Sequence, residues 1–383
     1  RDPGRRRAVG EACGRADGHP FSLRNTRVVT SSADVLKDRV DKALHEWMQA
    51  ARPSIASISP DLEPFVNALA AFVLDGGKRL RPAFCYWGYR AAAAEPDDDG
   101  AIVRAAAALE LLQACALMHD DVLDRSDIRR GGPSIHRRFT IAHETENLVG
   151  DAEAFGHAAA ILLGDLALVW ADSMLTTSGL APDALLRALP MWDAMRVEVM
   201  CGQYLDVAEQ ARGGGSVERA LRVARYKAAK YTVERPLHLG AAIAGGDADL
   251  LDGLSAYGLP IGEAFQLRDD LLGVFGDPKF TGKPAGDDLR EGKRTVLVAY
   301  ATEHADDAQR AVLRDGIGNA DLDPTGVQTL REVIIATGAT TAVERLIEER
   351  FTAALAALDR TAMADDARAE LAALATLATE RVA

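Results

Sequence analysis

Aromatic side chains make up only 5% of the 383 residues. Strands draw on aromatic and β-branched residues, whereas alanine, abundant here in long blocks, loses no side-chain entropy in a helix. The deficit argues against a β fold. Cysteine is scarce too: Cys13, Cys85, Cys115 and Cys201 are far apart and form no CxxC pair. That excludes a disulfide framework and a structural zinc site, and makes a reducing cytosol the natural compartment. No uninterrupted apolar run is long enough for a spanning helix; the best candidate, Ala158–Ala171, is broken by Asp165. No integral membrane segment is therefore expected. Positive charge is also short. The formal net charge is −13, which excludes a general nucleic-acid-binding surface.

What is present is ordinary globular material, with 48% hydrophobic and 26% charged residues. It suffices for one large core. The charge is unevenly placed. Residues 1–30 carry seven Arg against Asp2, Glu11 and Asp17. Residues 1–32 lack apolar periodicity and read as a disordered extension. They have no initiator Met and no apolar h-region, so a secretory signal is not expected. A transit-like segment is the lesser reading, and translated upstream sequence the preferred one.

From Ala33 onward the pattern is helix, turn, helix, with no convincing strand alternation. Helices are predicted over 33–51, 61–74, 80–94, 101–125, 150–177, 182–209, 216–244, 248–275, 293–304, 306–315, 324–337, 340–358 and 363–381. Gly and Pro supply the breaks, as at Gly76-Gly77, Gly131-Gly132-Pro133 and Asp277-Pro278. One large all-α domain is the simplest reading. The stretch 101–118 is apolar on nearly every face, so it belongs inside the bundle.

That buried helix ends in His119-Asp120-Asp121-Val122-Leu123-Asp124. Asp120 and Asp124 are i, i+4 and share a face; Asp121 and Asp124 are i, i+3. Gln113 lies two turns earlier on that face. Close carboxylates repel unless cations hold them, and hard oxygen ligands at this spacing suit Mg²⁺. Taken alone, the motif is equally a solvated acidic helix end. A second cluster, Gln266-Leu267-Arg268-Asp269-Asp270, follows another apolar run, with Gln266, Asp269 and Asp270 on one face. Two acid pairs on apolar helices read as two sides of one metal site in a bundle interior. Cationic clusters accompany them: Lys78, Arg79 and Arg81; Arg129 and Arg130; Lys227 and Lys230; Lys283 and Lys293. Arg forks and Lys point charges both bind phosphates. The combination points to a site for two polyphosphorylated molecules.

These segments resemble the trans isoprenyl diphosphate synthases, or polyprenyl synthetases. The matching stretches are Gly76-Gly77-Lys78-Arg79-Leu80-Arg81-Pro82, the DDxxD run Asp120–Asp124 with Arg129-Arg130-Gly131, Gly202-Gln203-Tyr204-Leu205-Asp206, the surroundings of Lys227, Phe265–Asp270, and Gly282-Lys283 through Asp288 to Gly292-Lys293. The resemblance covers about residues 35–380 and assigns 33–383 to a synthase domain.

It implies an all-helical bundle around a deep central cavity, three Mg²⁺ ions and a homodimer. It implies head-to-tail condensation of isopentenyl diphosphate with an allylic diphosphate (dimethylallyl, geranyl or farnesyl). By position, Asp120 and Asp124 would hold two Mg²⁺ ions, with Asp121 in support, and Asp269 the third, with Asp270 beside it. Arg129, Lys227, Gln266, Lys283 and Lys293 would contact the allylic diphosphate. Lys78, Arg81, Gln113 and Arg130 would hold isopentenyl diphosphate. Bulky aromatics at the positions of Cys115 and Ala116 stop the chain at farnesyl length in this family. With Leu112 behind them, both residues are small here, so geranylgeranyl diphosphate (C20) is predicted, with farnesyl or longer products as alternatives. Trp170 or Met174 from a neighbouring helix would close the floor sooner.

Two positions depart from the pattern. Gly273 stands where many members have Asp, with Asp277 a weak substitute. Ala228 follows Lys227 where Thr or Ser is usual, with Thr232 or water as a substitute. These departures motivate the alternative of a catalytically weak regulatory subunit of a heteromeric synthase. A class I terpene cyclase would carry an Asn/Ser/Glu metal triad instead of the second Asp pair. A His-Asp phosphohydrolase would need more histidine ligands than His136, His143 and His157 offer at their spacing.

Overall fold

The computed structural model describes residues 32–93, 98–213, 215–278, 282 and 284–379. The expected N-terminal extension, apart from Ser32, lies outside the described residues, as does Lys283. Helix α1 (Ser32–Ala56) turns Leu36, Val40, Ala43, Leu44 and Met48 inward at helical spacing. After the short turn Pro60–Leu62 come α2 (Glu63–Leu74), α3 (Leu80–Ala92) and α4 (Gly100–Leu123). Helix α4 is buried on almost every side, from Ile102 through Met118, as its composition demands.

A two-residue hairpin follows, Ile128–Arg129 paired with Gly132–Pro133. Its tip, Arg130 and Gly131, has φ of 53° and 76°. Two positive φ values in a two-residue loop match the right-handed twist of paired strands. The chain continues through α5 (Ile135–Thr145), α6 (Ala152–Thr176), α7 (Pro182–Arg212) and α8 (Val217–Val223). A π-helical segment, Ala224–Glu234, joins α8 to α9 (Arg235–Ala244). The remaining elements are α10 (Ala248–Phe275), α11 (Asp287–Glu291), α12 (Val296–His304), α13 (Asp307–Gly316), α14 (Pro324–Ala336), α15 (Ala339–Arg360) and α16 (Asp365–Thr379).

Four expectations differ from this outcome, among them α11, which no predicted helix covers. The single helix predicted over 216–244 is three segments, because backbone packing rather than composition sets the π turn. Helix α5 has no counterpart among the predicted helices: its buried face carries His136, Thr140 and His143, so its apolar stripe is faint. The hairpin is too short to leave an alternating pattern.

Helix α4 packs against α6, α3 and α1, and α10 against the π segment, α15 and α16. One core joins α1–α4, α6, α7, α9 and α10; a second lies among α10, α11, α12, α14 and α15. The C-terminal helices are integral: Tyr257 donates to the Leu371 carbonyl at 2.6 Å, and Arg350 to buried Glu263 at 2.7 Å. Helices α4 and α6 are long and apolar enough to cross a membrane by length and composition alone. Helix α4, however, is a core helix of the bundle, and half of the apolar window in α6 is buried as well.

Candidate active site

The first acid cluster closes α4, where the Asp124 amide donates to the Asp120 carbonyl at 2.8 Å. On this largely buried helix, Gln113, Ala116, Leu117 and Asp120 form a partly accessible stripe, spaced as one face. Leu112 and Cys115 lie off that stripe and are buried. The Cys115 sulfur lies 3.8 Å from His119 Nδ1, and His119 Nε2 lies 3.0 Å from the Ile161 carbonyl of α6. His119 is thus a helix-packing residue. Asp120 is bonded by Gln203 and Lys227, not by histidine.

Helix α7 reaches this cluster because Gly202 has no side chain. A Cβ there would lie 2.4 Å from the Lys227 amide nitrogen. Gln203 donates to Asp120 Oδ1 at 2.8 Å. Lys227 Nζ sits 3.0 Å from Asp120 Oδ1 and 2.6 Å from Asp206 Oδ2. The π turn separates the two lysines: Lys230 instead meets Glu198 at 2.8 Å and Glu234 at 3.1 Å. Burial opposes the Asp120 charge, but Lys227, Lys293 and Arg129 outweigh it and hold its carboxyl below the usual range. Burial likewise opposes the Lys227 charge, and Asp120 and Asp206 overcome it, raising its pKa. Asp121 is gripped from below by Arg129, whose Nε donates to Oδ1 at 3.0 Å.

The second cluster lies on α10. Gln266 and Asp269 are partly accessible, and buried Asp270 accepts from Gln266 Nε2 at 2.8 Å. Burial pushes the Asp270 carboxyl up to about 8, with Asp288 and Asp269 adding to the shift and the Gln266 hydrogen bond opposing it. Asp288 on α11 is therefore a member of this group. Lys293 joins both clusters: its Nζ lies 3.2 Å from Asp124, 3.4 Å from Asp288 and 2.8 Å from Glu291. Burial raises the Asp124 pKa, and the Asp120 and Glu291 carboxylates add to the rise while Lys293 opposes it.

A third group borders α4 on the other side. Arg81 donates to Thr232 Oγ1 at 2.8 Å and lies 4.5 Å over the Tyr231 ring. Arg130 donates to the carbonyls of Phe72 at 3.1 Å and Asp75 at 3.3 Å, and lies 5.3 Å over the Phe72 ring. Gln113 Oε1 is buried with no partner. Lys78 opens the turn into α3. The hairpin touches the α10–α11 connection, with the Gly131 amide donating to the Gly282 carbonyl at 3.0 Å.

Both oxygens of Asp124 are buried without a hydrogen bond. Oδ2 meets the Lys293 ammonium at 3.2 Å, and buried carboxylate oxygens left short of hydrogen bonds beside further carboxylates fit a divalent cation. Among the described residues no three His, Cys, Asp or Glu side chains form a ready-made cage. Mg²⁺ keeps waters and takes one or two carboxylates plus substrate phosphate, so the donor here with the chemistry to meet it is the Asp124 carboxylate. The sequence reading missed the parts played here by Gln203, Asp206, Asp288 and Glu291. The first three stood inside quoted motifs, but only the packing of α7 and α11 gives them partners.

The polyprenyl synthetase family model matches residues 63–334. The chain belongs to the polyprenyl synthetase family. As a polyprenyl synthetase it is a trans-prenyl diphosphate synthase, and hence a prenyltransferase. A solved geranylgeranyl pyrophosphate synthase from Corynebacterium glutamicum, complexed with isoprenyl diphosphate and magnesium, is 46% identical. The match covers 92% of this chain and 100% of that one, with a TM-score of 0.89. A geranylfarnesyl diphosphate synthase from Natronomonas pharaonis is 29% identical over 77% of this chain and 85% of its own length. A (2E,6E)-farnesyl diphosphate synthase from Mycobacterium bovis is 31% identical over 77% of each chain. Relatives of this polyprenyl synthetase thus differ in product length.

Proposed function

We propose that this chain condenses isopentenyl diphosphate head-to-tail with an allylic diphosphate, using Mg²⁺, and releases geranylgeranyl diphosphate. The observation that carries the reading is the pair of acid clusters joined by Lys293, with Lys227 on the first of them and Arg81, Arg130 and Gln113 beside α4. Asp120 and Asp124 on one side, and Asp269 and Asp270 on the other, would hold the metal ions, three by the family's pattern. Asp121 supports them through Arg129. Asp288 adds a carboxylate beside position 273, where the second acid motif ends in Gly. When bound, Mg²⁺ supplies Lewis acidity and a template for the diphosphate leaving group.

The chain's own groups do the rest. The allylic C–O bond breaks with its electron pair going to the diphosphate. Lys227, Lys293, Arg129 and Gln266, with Lys283 outside the described residues, stabilise the charge that develops there. Lys227 and Lys293 stay protonated throughout, because the acids around them raise their pKa against the opposing effect of burial. The isopentenyl double bond forms the new C–C bond, and the proton then lost goes to the released diphosphate. Lys78, Arg81, Gln113 and Arg130 hold isopentenyl diphosphate in line, which supplies the proximity effect. Apolar walls exclude the water that would quench the cation.

Ala116, on the accessible stripe of α4, supports an open floor and a C20 product. Cys115 and Leu112 form the packed layer behind it. Thr232, one turn after Ala228, already accepts from Arg81. The compartment proposed is the cytosol, where the free thiols of Cys85, Cys115 and Cys201 persist. A homodimer is proposed across the exposed apolar faces of α6 (Ile161, Leu162, Val169) and α7 (Leu186, Val197, Met200).

The test is incubation with Mg²⁺, labelled isopentenyl diphosphate and each allylic primer, followed by sizing of the dephosphorylated products. A C20 alcohol supports the whole reading. A C15 stop keeps the synthase and removes the open floor. No incorporation by folded protein moves the weight to a partner-dependent subunit.

A further inference from the structure

Arg79 lies between Lys78 and Arg81 in the glycine turn, yet only 4% of its surface is accessible. Its backbone is left-handed, with φ 50° and ψ 38°, a conformation that a residue with a Cβ adopts at a cost. The guanidinium holds it there. Nε donates to Asp41 Oδ1 on α1 at 2.7 Å, one terminal nitrogen to Glu110 Oε2 on α4 at 2.6 Å, and the other to the Val73 carbonyl near the end of α2 at 2.9 Å. The Arg79 carbonyl in turn accepts from the Ala83 amide at 3.0 Å and opens α3. One side chain therefore ties α1, α2 and α4 to the first turn of α3. Glu110 stands one helical turn before Gln113, and Arg130 docks on the same end of α2 through the Phe72 and Asp75 carbonyls.

We propose that Arg79 is a positioning residue for the isopentenyl diphosphate pocket: without touching substrate, its fork fixes the left-handed turn that aims Lys78 and Arg81 beside Gln113. This rests on the functional reading above. A lysine keeps the charge but has no planar fork and cannot meet three acceptors in these directions. A glycine accepts the backbone angle but holds nothing.

The test is steady-state kinetics with each substrate varied in turn, together with calorimetric titration of isopentenyl diphosphate into the full chain. Arg79→Lys, Arg79→Gly and Glu110→Gln are each expected to raise KM for isopentenyl diphosphate about tenfold or more, with KM for the allylic diphosphate within about twofold. Asp41→Ala removes only the partly exposed contact, so it folds if the buried variants do not, and shows a smaller rise in the same direction. Equal rises in both KM values, or a lower melting temperature with an unchanged isopentenyl KM, overturn the proposal in favour of a purely structural role. An active wild type with an unaffected Arg79→Lys defeats this inference alone. A wild type that makes no product but loses isopentenyl diphosphate binding in Arg79→Lys defeats only the functional reading.

Discussion

The Asp288 carboxylate occupies the space that a side chain at Gly273 would need: a Cβ at 273 would lie 1.8 Å from Asp288 Oδ2. A carboxylate from α11 thus reaches the α10 cluster at position 273, one turn beyond Asp269 and Asp270, where α10 carries Gly. Asp288→Asn is expected to weaken Mg²⁺ binding in the presence of inorganic diphosphate, and to lower kcat/KM, each by about 10- to 100-fold. Gly273→Asp alone should be impaired by the clash. Combined with Asp288→Gly it should recover much of the loss, because the carboxylate returns from the other side. Calorimetry of the metal and turnover check both. Recovery that fails while the fold is intact removes the exchange.

Lys227 is held 2.6 Å from Asp206 and 3.0 Å from Asp120 by the close approach of α7 at Gly202. Lys227→Gln is expected to lower turnover about 10²-fold or more, since a fixed cation facing the leaving group is lost. It also leaves buried acids without their partner, so the melting temperature should fall. Lys227→Arg retains charge but not the point geometry, and should fall between. An unchanged kcat in Lys227→Gln would place the leaving group elsewhere.

Ala116 lies on the accessible stripe of α4, whereas Cys115 is packed near His119. Ala116→Phe should shift the main product from C20 to C15 or shorter, read by chromatography of the dephosphorylated alcohols. Cys115→Phe must be accommodated inside the α4–α6 interface, so its main effect should be lost stability from overpacking, about 1–3 kcal/mol. The two variants therefore differ in kind, one in product and one in melting temperature.

Away from the acid clusters, Glu198 bridges Lys230 and Arg235 across α7, the π segment and α9. Burial opposes the Glu198 charge, but Arg235 and Lys230 outweigh it and hold its carboxyl below the ordinary glutamate value of 4.5. A depressed folded-state pKa stabilises the protein above the unfolded value and loses that contribution as pH falls through the folded one. The melting temperature should therefore decline below about pH 4.5. Glu198→Gln should melt lower at neutral pH and show a flatter acid limb. An acid limb identical to wild type would assign the loss to other groups.

What was legible in the sequence was local. The i, i+3, i+4 placing of Asp120, Asp121 and Asp124, and of Gln266, Asp269 and Asp270, needs only the helical period. The apolar runs around them located the buried helices α4 and α10 for the same reason. Helix α5 escaped because polar His136, Thr140 and His143 fill its inward face. The π turn escaped because it answers to the close packing of α7 and α10, where Gly202 and Gly262 bring their backbones against Lys227 and Ala229.

The sequence by itself determined an all-α chain with paired acid clusters, cationic turns and a family pattern, since composition, periodicity and motif spacing are properties of neighbouring residues. Only the packing of distant helices brings Asp288 into the space beside Gly273, parts Lys227 from Lys230, and ties Arg79 to Asp41, Glu110 and Val73. Each of those outcomes depends on which distant helix comes within a few ångströms, and packing complementarity between helices, not local spacing, sets that approach.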